Sequence, residues 1–201
     1  MSKAISVLTL VLISLGVSAQ DYQLGIRLSN NVTGLPVSSY PSLFYSNLNP
    51  GAEIGLSRQF NTNQKHQWHL SGNIGFFYHR FIQTGIKIYP SIHYHYQVNP
   101  KFKIESSIDL GYLMAINNVA VLELGEDGFY ENKPLNKARS QFMAGFRIGA
   151  SYHPSGDPAG IAYTCAFGTF MQGPYVSGYV PLLPYNTFSV GLELPIDLKS
   201  N

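Results

Sequence analysis

Eight separate stretches of this chain alternate apolar and polar residues, the period of a strand whose two faces meet different surroundings. The first sets Tyr22, Leu24, Ile26 and Leu28 against Gln23, Gly25, Arg27 and Ser29, and the second sets Ala52, Ile54 and Leu56 against Glu53, Gly55 and Ser57. The same division runs through residues 67–78, 86–97, 102–112, 141–152, 161–171 and 188–196. A sheet of such strands, closed on itself, turns one face to lipid and the other to a polar lumen, and leaves no backbone group unpaired in hydrocarbon. The pattern predicts an all-β fold: an eight-stranded antiparallel up-and-down transmembrane barrel.

The chain begins with a segment that reads as a secretory signal. Lys3 is a small positive start, residues 4–16 are a mostly apolar run, and Val17-Ser18-Ala19 offers small residues for cleavage. Residues 1–19 are therefore expected to be removed and residues 20–201 to form one barrel domain. The apolar run is too short for a membrane-crossing helix, which needs roughly 20 residues. The single cysteine, Cys165, has no intrachain partner for a disulfide.

Composition agrees with a surface that does not face water. Only 12% of residues are charged, against about a quarter in soluble domains, while Gly, Tyr and Phe number 19, 14 and 12. With Lys3 removed, the 13 basic residues come close to parity with the 11 acidic ones. No basic stripe is interleaved with aromatics, so nucleic acid is not an expected partner.

Connection lengths and aromatic positions bear on topology. Short links, Asn61-Thr62-Asn63-Gln64, Asn99-Pro100 and Pro154-Ser155-Gly156-Asp157-Pro158, follow the second, fourth and sixth stretches. Long ones, roughly residues 30–50, 116–137 and 172–186, follow the first, fifth and seventh. Only the link near residues 80–83 is short where a long one belongs. This alternation suits a barrel with short periplasmic turns and long outer loops. On that topology Tyr22, Phe60, Trp68, Tyr94, Tyr96, Phe102, Tyr152 and Tyr163 form an aromatic ring at the periplasmic ends.

Signal segment, eight alternating strands, glycine-rich inner faces and alternately long loops together resemble the small outer-membrane β-barrel proteins, the group of OmpA-type and OmpX-type barrels. The resemblance spans the whole mature chain as a pattern, without a diagnostic motif. It implies an outer-membrane location, contact with membrane lipid and lipopolysaccharide, and assembly by the barrel insertion machinery. The chain departs from the group at its end: it runs past Ile196 into Asp197-Leu198-Lys199-Ser200-Asn201 instead of finishing on an aromatic residue. Pro90 and Pro195 also remove ladder donors inside the expected strands.

The residues that could carry chemistry lie on the expected lumen face. Arg27, Lys87, Lys103 and Arg147 oppose Glu53, Glu105, Asp109 and Glu193 there, four of each sign. An interior of eight strands is just wide enough for side chains to fill, so these charges are expected to pair and plug it; the alternative is a narrow ion path. His69 and Ser71 share a face with the His-x-Ser spacing of the barrel lipid A deacylases, in which a serine nucleophile needs an imidazole base. Both face the lumen near the periplasmic end, away from the outer leaflet, which argues against that chemistry. His93 and His95 could take a metal with His69 or Glu105. The spacing fixes no third ligand, and hydrogen bonding inside the barrel is the expected role.

The loops supply the remaining candidates. Glu123, Glu126, Asp127 and Glu131, followed by Lys133, Lys137 and Arg139, read as a solvated loop or as groups meeting divalent cations or lipopolysaccharide phosphates. The first long loop carries Leu35, Val37, Tyr40, Leu43, Phe44 and Tyr45, an apolar content that water disfavours, and is expected to fold over the barrel mouth or to bind a partner. The functional expectation is a monomeric outer-membrane barrel with a structural or surface-interaction role. No catalysis, cofactor or large pore is expected. A lipid A hydrolase, a narrow channel and a secreted lipocalin-like barrel are the alternatives.

Overall fold

The computed structural model describes residues 22–119, 121–124, 128–133, 138–157, 160–175 and 180–196. The expected signal segment, Glu126, Asp127, Lys137 and residues 197–201 lie outside them. The strands are β1 (Tyr22–Thr33), β2 (Pro50–Gln59), β3 (His66–His79), β4 (Gln83–Asn99), β5 (Phe102–Asn117), β6 (Val121–Leu124), β7 (Tyr130–Lys133), β8 (Arg139–Tyr152), β9 (Ala162–Gly173) and β10 (Leu183–Ile196). A four-residue helix, α1 (Ser42–Tyr45), interrupts the first long loop.

Eight of these strands close into one antiparallel barrel in the order β1-β10-β9-β8-β5-β4-β3-β2. The seam pairs the first and last strands along the whole of β1, from Tyr22↔Ile196 to Thr33↔Tyr185. On its other side β1 pairs with β2 from Tyr22↔Arg58 to Asn30↔Pro50. With both edges of β1 paired, the ladder has no open edge to leave in hydrocarbon. Pro90 pairs opposite Gly72 on β3, and the β4–β5 ladder skips residues 89 and 90 without a change of register. Pro195 lies beyond the last β10–β9 pair, Glu193↔Ala162, so it breaks no bond on that side.

The alternation seen in the sequence divides the wall as expected. Outward positions such as Ile54, Ile74, Ile88, Ile108, Leu110, Ile148 and Val190 are exposed, and the inward neighbours Ser71, Ser91, Ser107, Asp109 and Ser189 are buried. Apolar outside and polar inside is the polarity of a barrel that spans a membrane. Among the described residues no helix is long and apolar enough to cross one. At the end carrying the short turns, Trp68 packs on Tyr94 at 5.1 Å and Phe102 on Tyr152 at 5.0 Å between ring centroids.

Three features differ from the sequence reading. The strands run further toward the long-loop end: β5 reaches Asn117, and β10 already begins at Leu183. The acidic loop holds the hairpin β6–β7, with Glu123 opposite Glu131. Its charges hide the strand pattern, and Gly128, at φ 81°, takes the left-handed turn that joins the two arms. Most consequentially, the first long loop does not cap the mouth; it lies down the outer wall. The outward-facing Asn30 donates from Nδ2 to Leu43 O at 2.8 Å, and its Oδ1 accepts from Asn49 N at 2.8 Å. Asn186 Oδ1 accepts from Val37 N at 3.2 Å, and Tyr40 Oη meets Thr169 Oγ1 at 3.3 Å. The aromatic rings follow: Tyr40 lies 5.4 Å from Phe167, and Phe44 lies 5.7 Å from Phe188. Polar outward residues on β1, β9 and β10 draw the loop sideways, a tertiary choice that its own sequence does not display.

A cation placed on the lipid face at mid-membrane costs about 2–4 kcal/mol. Ile54→Arg and Leu192→Arg should therefore impair insertion into vesicles, while the inward Ser57→Arg should be milder; equal loss in all three would show that the two faces are not distinguished.

Candidate functional site in the barrel interior

The lumen is filled in three layers, and the middle one is ionic. Alternation on β2 turns Glu53 inward, and its carboxylate meets three cations from three strands: Arg147 Nη1 at 2.7 Å, Arg27 Nη1 at 3.4 Å and Lys87 Nζ at 3.5 Å. Arg27 also reaches Glu193 at 3.1 Å through Nη2. Arg147 holds Asp109 by Nε to Oδ2 at 3.1 Å and by Nη2 to Oδ1 at 3.2 Å, and its Nε also donates to Ser107 Oγ at 3.2 Å. Three cations and three carboxylates thus neutralise one another, as buried charge requires. Gly168 makes room for this arrangement, since a Cβ there would sit 2.5 Å from Arg147 Cγ.

The layer on the long-loop side is apolar. Phe77, Tyr89, Leu113, Met143, Phe170 and Tyr185 form a buried cluster, with Phe170 and Tyr185 stacked at 5.0 Å and 8°. Lys87 Nζ lies 4.8 Å from the centre of the Phe170 ring, so the ionic layer and the aromatic one share a cation–π contact. Tyr89 lies beside Gly111 of the neighbouring strand β5, where a Cβ would approach Tyr89 Cβ to 2.3 Å. Above the rings, fully buried Gln83 donates to Gln172 Oε1 at 2.6 Å across the barrel.

The layer on the short-turn side holds histidines. His69 and His95 stack at 4.4 Å and 24°. Ser71 Oγ bonds His93 Nε2 at 2.8 Å, while Asn73 Nδ2 donates to Ser71 Oγ at 2.9 Å and to Ser91 Oγ at 3.0 Å. The serine is thus paired with the histidine on the neighbouring strand and not with His69, its partner in the sequence motif. The β3–β4 register sets Ser71 opposite Ser91 and His69 opposite His93, so the Ser71–His93 bond is a diagonal one between same-face neighbours. Among the described residues no three His, Cys, Asp or Glu side chains are grouped to hold a metal ion.

The spaces left between these side chains measure about 30, 20 and 10 Å³. Water, whose share of liquid volume is about 30 Å³, is the scale of guest they admit. The structure therefore places Arg27, Glu53, Lys87, Asp109, Arg147 and Glu193 in one network. Lys103, buried, and Glu105, half-buried, are on the same inward face nearer the short turns. It sends Tyr40 and Phe44 to the outer wall and leaves Tyr45 exposed. Glu123 is on β6, while Glu126 and Asp127 lie outside the described residues. The aromatic layer escaped the sequence reading although a signal for it exists. The consecutive rings Phe76, Phe77 and Tyr78 on one strand force the middle one inward.

No protein-family model matches the chain, and no curated protein sequence matches it. Solved structures do. The chain is similar to Neisserial surface protein A, at 14% identity and a TM-score of 0.49 over 89% of this chain and 98% of that one. It is also similar to the outer membrane enzyme PagL, at 9% identity and 0.48 over 87% and 99% of the two chains. A third is Ail, the attachment invasion locus protein of Yersinia pestis, at 10% identity and 0.48 over 89% and 100%.

Removing one partner of a buried ion pair costs about 3–5 kcal/mol because the other charge is stranded. Glu53→Gln takes from Lys87 its carboxylate and leaves Arg27 and Arg147 with Glu193 and Asp109 alone, so it should lower the urea midpoint of the detergent-folded barrel. Adding Lys87→Met should recover part of the loss, and a double variant no more stable than the single one would contradict the hub.

Proposed function

We propose that the chain is an integral outer-membrane barrel, exported by residues 1–19, with a structural or surface-interaction role, no catalysis and no large pore. The observation that carries this reading is the inversion of polarity around a filled lumen: apolar residues ring the outside while ion pairs and aromatic rings occupy the inside. Such an exterior is stable only against hydrocarbon, and such an interior gives an ion no continuous water path.

The placement of Ser71 and His93 disfavours catalysis. Ser71 and His93 have the atoms of a nucleophile and base, yet both are buried in the lumen, next to spaces no larger than about 20 Å³. A lipid substrate would have to reach the serine through a wall of paired strands. The loop-end surface, including the hairpin β6–β7, is where a surface partner would meet the protein.

Two measurements on the purified protein test this. Unboiled samples should migrate differently from boiled ones in SDS gels, because a closed barrel resists the detergent until heated. Planar bilayers holding the folded protein should show no stable large conductance, whereas a steady porin-sized current would overturn the closed interior. Comigration of boiled and unboiled samples would overturn the barrel itself.

A further inference from the structure

The first long loop poses a physical problem that the barrel reading leaves open. From Asn30 to Ala52 it has no charged side chain, and it exposes Leu35, Phe44, Tyr45 and Leu48 on the outside of the molecule. Phe44, Tyr45 and Leu48 are 68%, 79% and 72% exposed, a cost in water that one exposed leucine does not incur but a contiguous group does.

The loop is nonetheless built and not collapsed. Its backbone is held to the wall by bonds with Asn30 and Asn186, residues on outward register positions of β1 and β10. Between the loop and the wall a crevice of about 300 Å³ remains, lined by Leu28, Asn30, Leu48, Pro50, Phe188 and Val190. This is ten times the largest space in the lumen described above. Leu28 and Val190 belong also to the lipid-facing belt, at 61% and 47% exposure, so the crevice is continuous with the surface that hydrocarbon covers. Of its two polar lining residues, Asn30 is already engaged by Leu43 O and Asn49 N, and Ser29 turns its hydroxyl to Asn31 on the inward face. The chemistry on offer is therefore apolar contact alone.

We propose that this loop is a clamp that holds one acyl chain of a membrane lipid against the outer wall beside β1 and β10, a proposal resting on the membrane-spanning reading. Leu48 roofs the chain, Phe188 and Val190 form its floor, and Phe44 and Tyr45 lie in the surrounding bilayer interface. The charge-free rim selects the alkyl part of the lipid and is indifferent to its head group. The clamp would give the barrel a lipid retained beyond the ordinary exchange of the belt.

The test uses the full barrel in vesicles of a diacyl phosphatidylcholine brominated along its acyl chains, which quench tryptophan on contact. In a Trp68→Phe background, Leu48→Trp should be quenched to a degree comparable with Ile108→Trp in the belt. If Ile108→Trp is quenched and Leu48→Trp keeps the emission of a water-exposed indole, the clamp is overturned while the membrane reading stands. If Ile108→Trp is not quenched either, the membrane reading falls and takes the clamp with it. Native mass spectrometry gives the occupancy: the wild type should carry a retained phosphatidylcholine, and both Leu28→Trp, which fills the crevice, and Leu48→Ser, which opens its roof, should lose it. Wild type without retained lipid, or retention unchanged in both variants, would overturn the proposal.

Discussion

Everything in this protein hangs on the seam between β1 and β10. A sheet of eight strands with an open edge would leave a row of amide and carbonyl groups without partners in hydrocarbon, each at a cost of several kcal/mol. Pairing from Tyr22↔Ile196 to Thr33↔Tyr185 removes that row. Closure then fixes the rest. Once the strands form a ring, one face of each must point to a narrow interior and the other to the surroundings, and the residues at alternate positions have no further choice.

The interior follows from that narrowness. Charges confined in a space without bulk water must neutralise one another, and the six-residue network around Glu53 does so with three strands supplying its cations. The ionic layer is joined to the aromatic one by Lys87 over Phe170. Rings and ions are therefore not separate plugs: moving either disturbs the other. The outside shows a complementary arrangement, since Asn30, Thr169 and Asn186, polar residues on outward positions, are met by the first loop.

The wall was legible in the sequence because its two sides differ in the property that side chains report most directly, their affinity for water. Ile54 beside Glu53 and Leu192 beside Glu193 carry that contrast in adjacent letters. What was not legible depends on contacts between strands. Ser71 shares a face with His69, but across the β3–β4 ladder, where Ser91 stands opposite it, its bond runs diagonally to His93. Phe77, Phe170 and Tyr185 come from three strands, and inward parity alone does not say that they meet. The loop's course down the wall depends on Asn186, which is distant in the chain from every loop residue it binds.

Closure in this register is most directly measured by cross-linking the seam. Ile26 and Leu192 face each other across it, whereas Ile26 and Leu194 are displaced by one step on the same face. In a Cys165→Ser background, Ile26→Cys with Leu192→Cys should form a disulfide under mild oxidation in the vesicle-inserted protein, and Ile26→Cys with Leu194→Cys should form far less. Two cysteine pairs that oxidise equally, or neither oxidising in protein that has inserted, would contradict a barrel closed by β1 and β10.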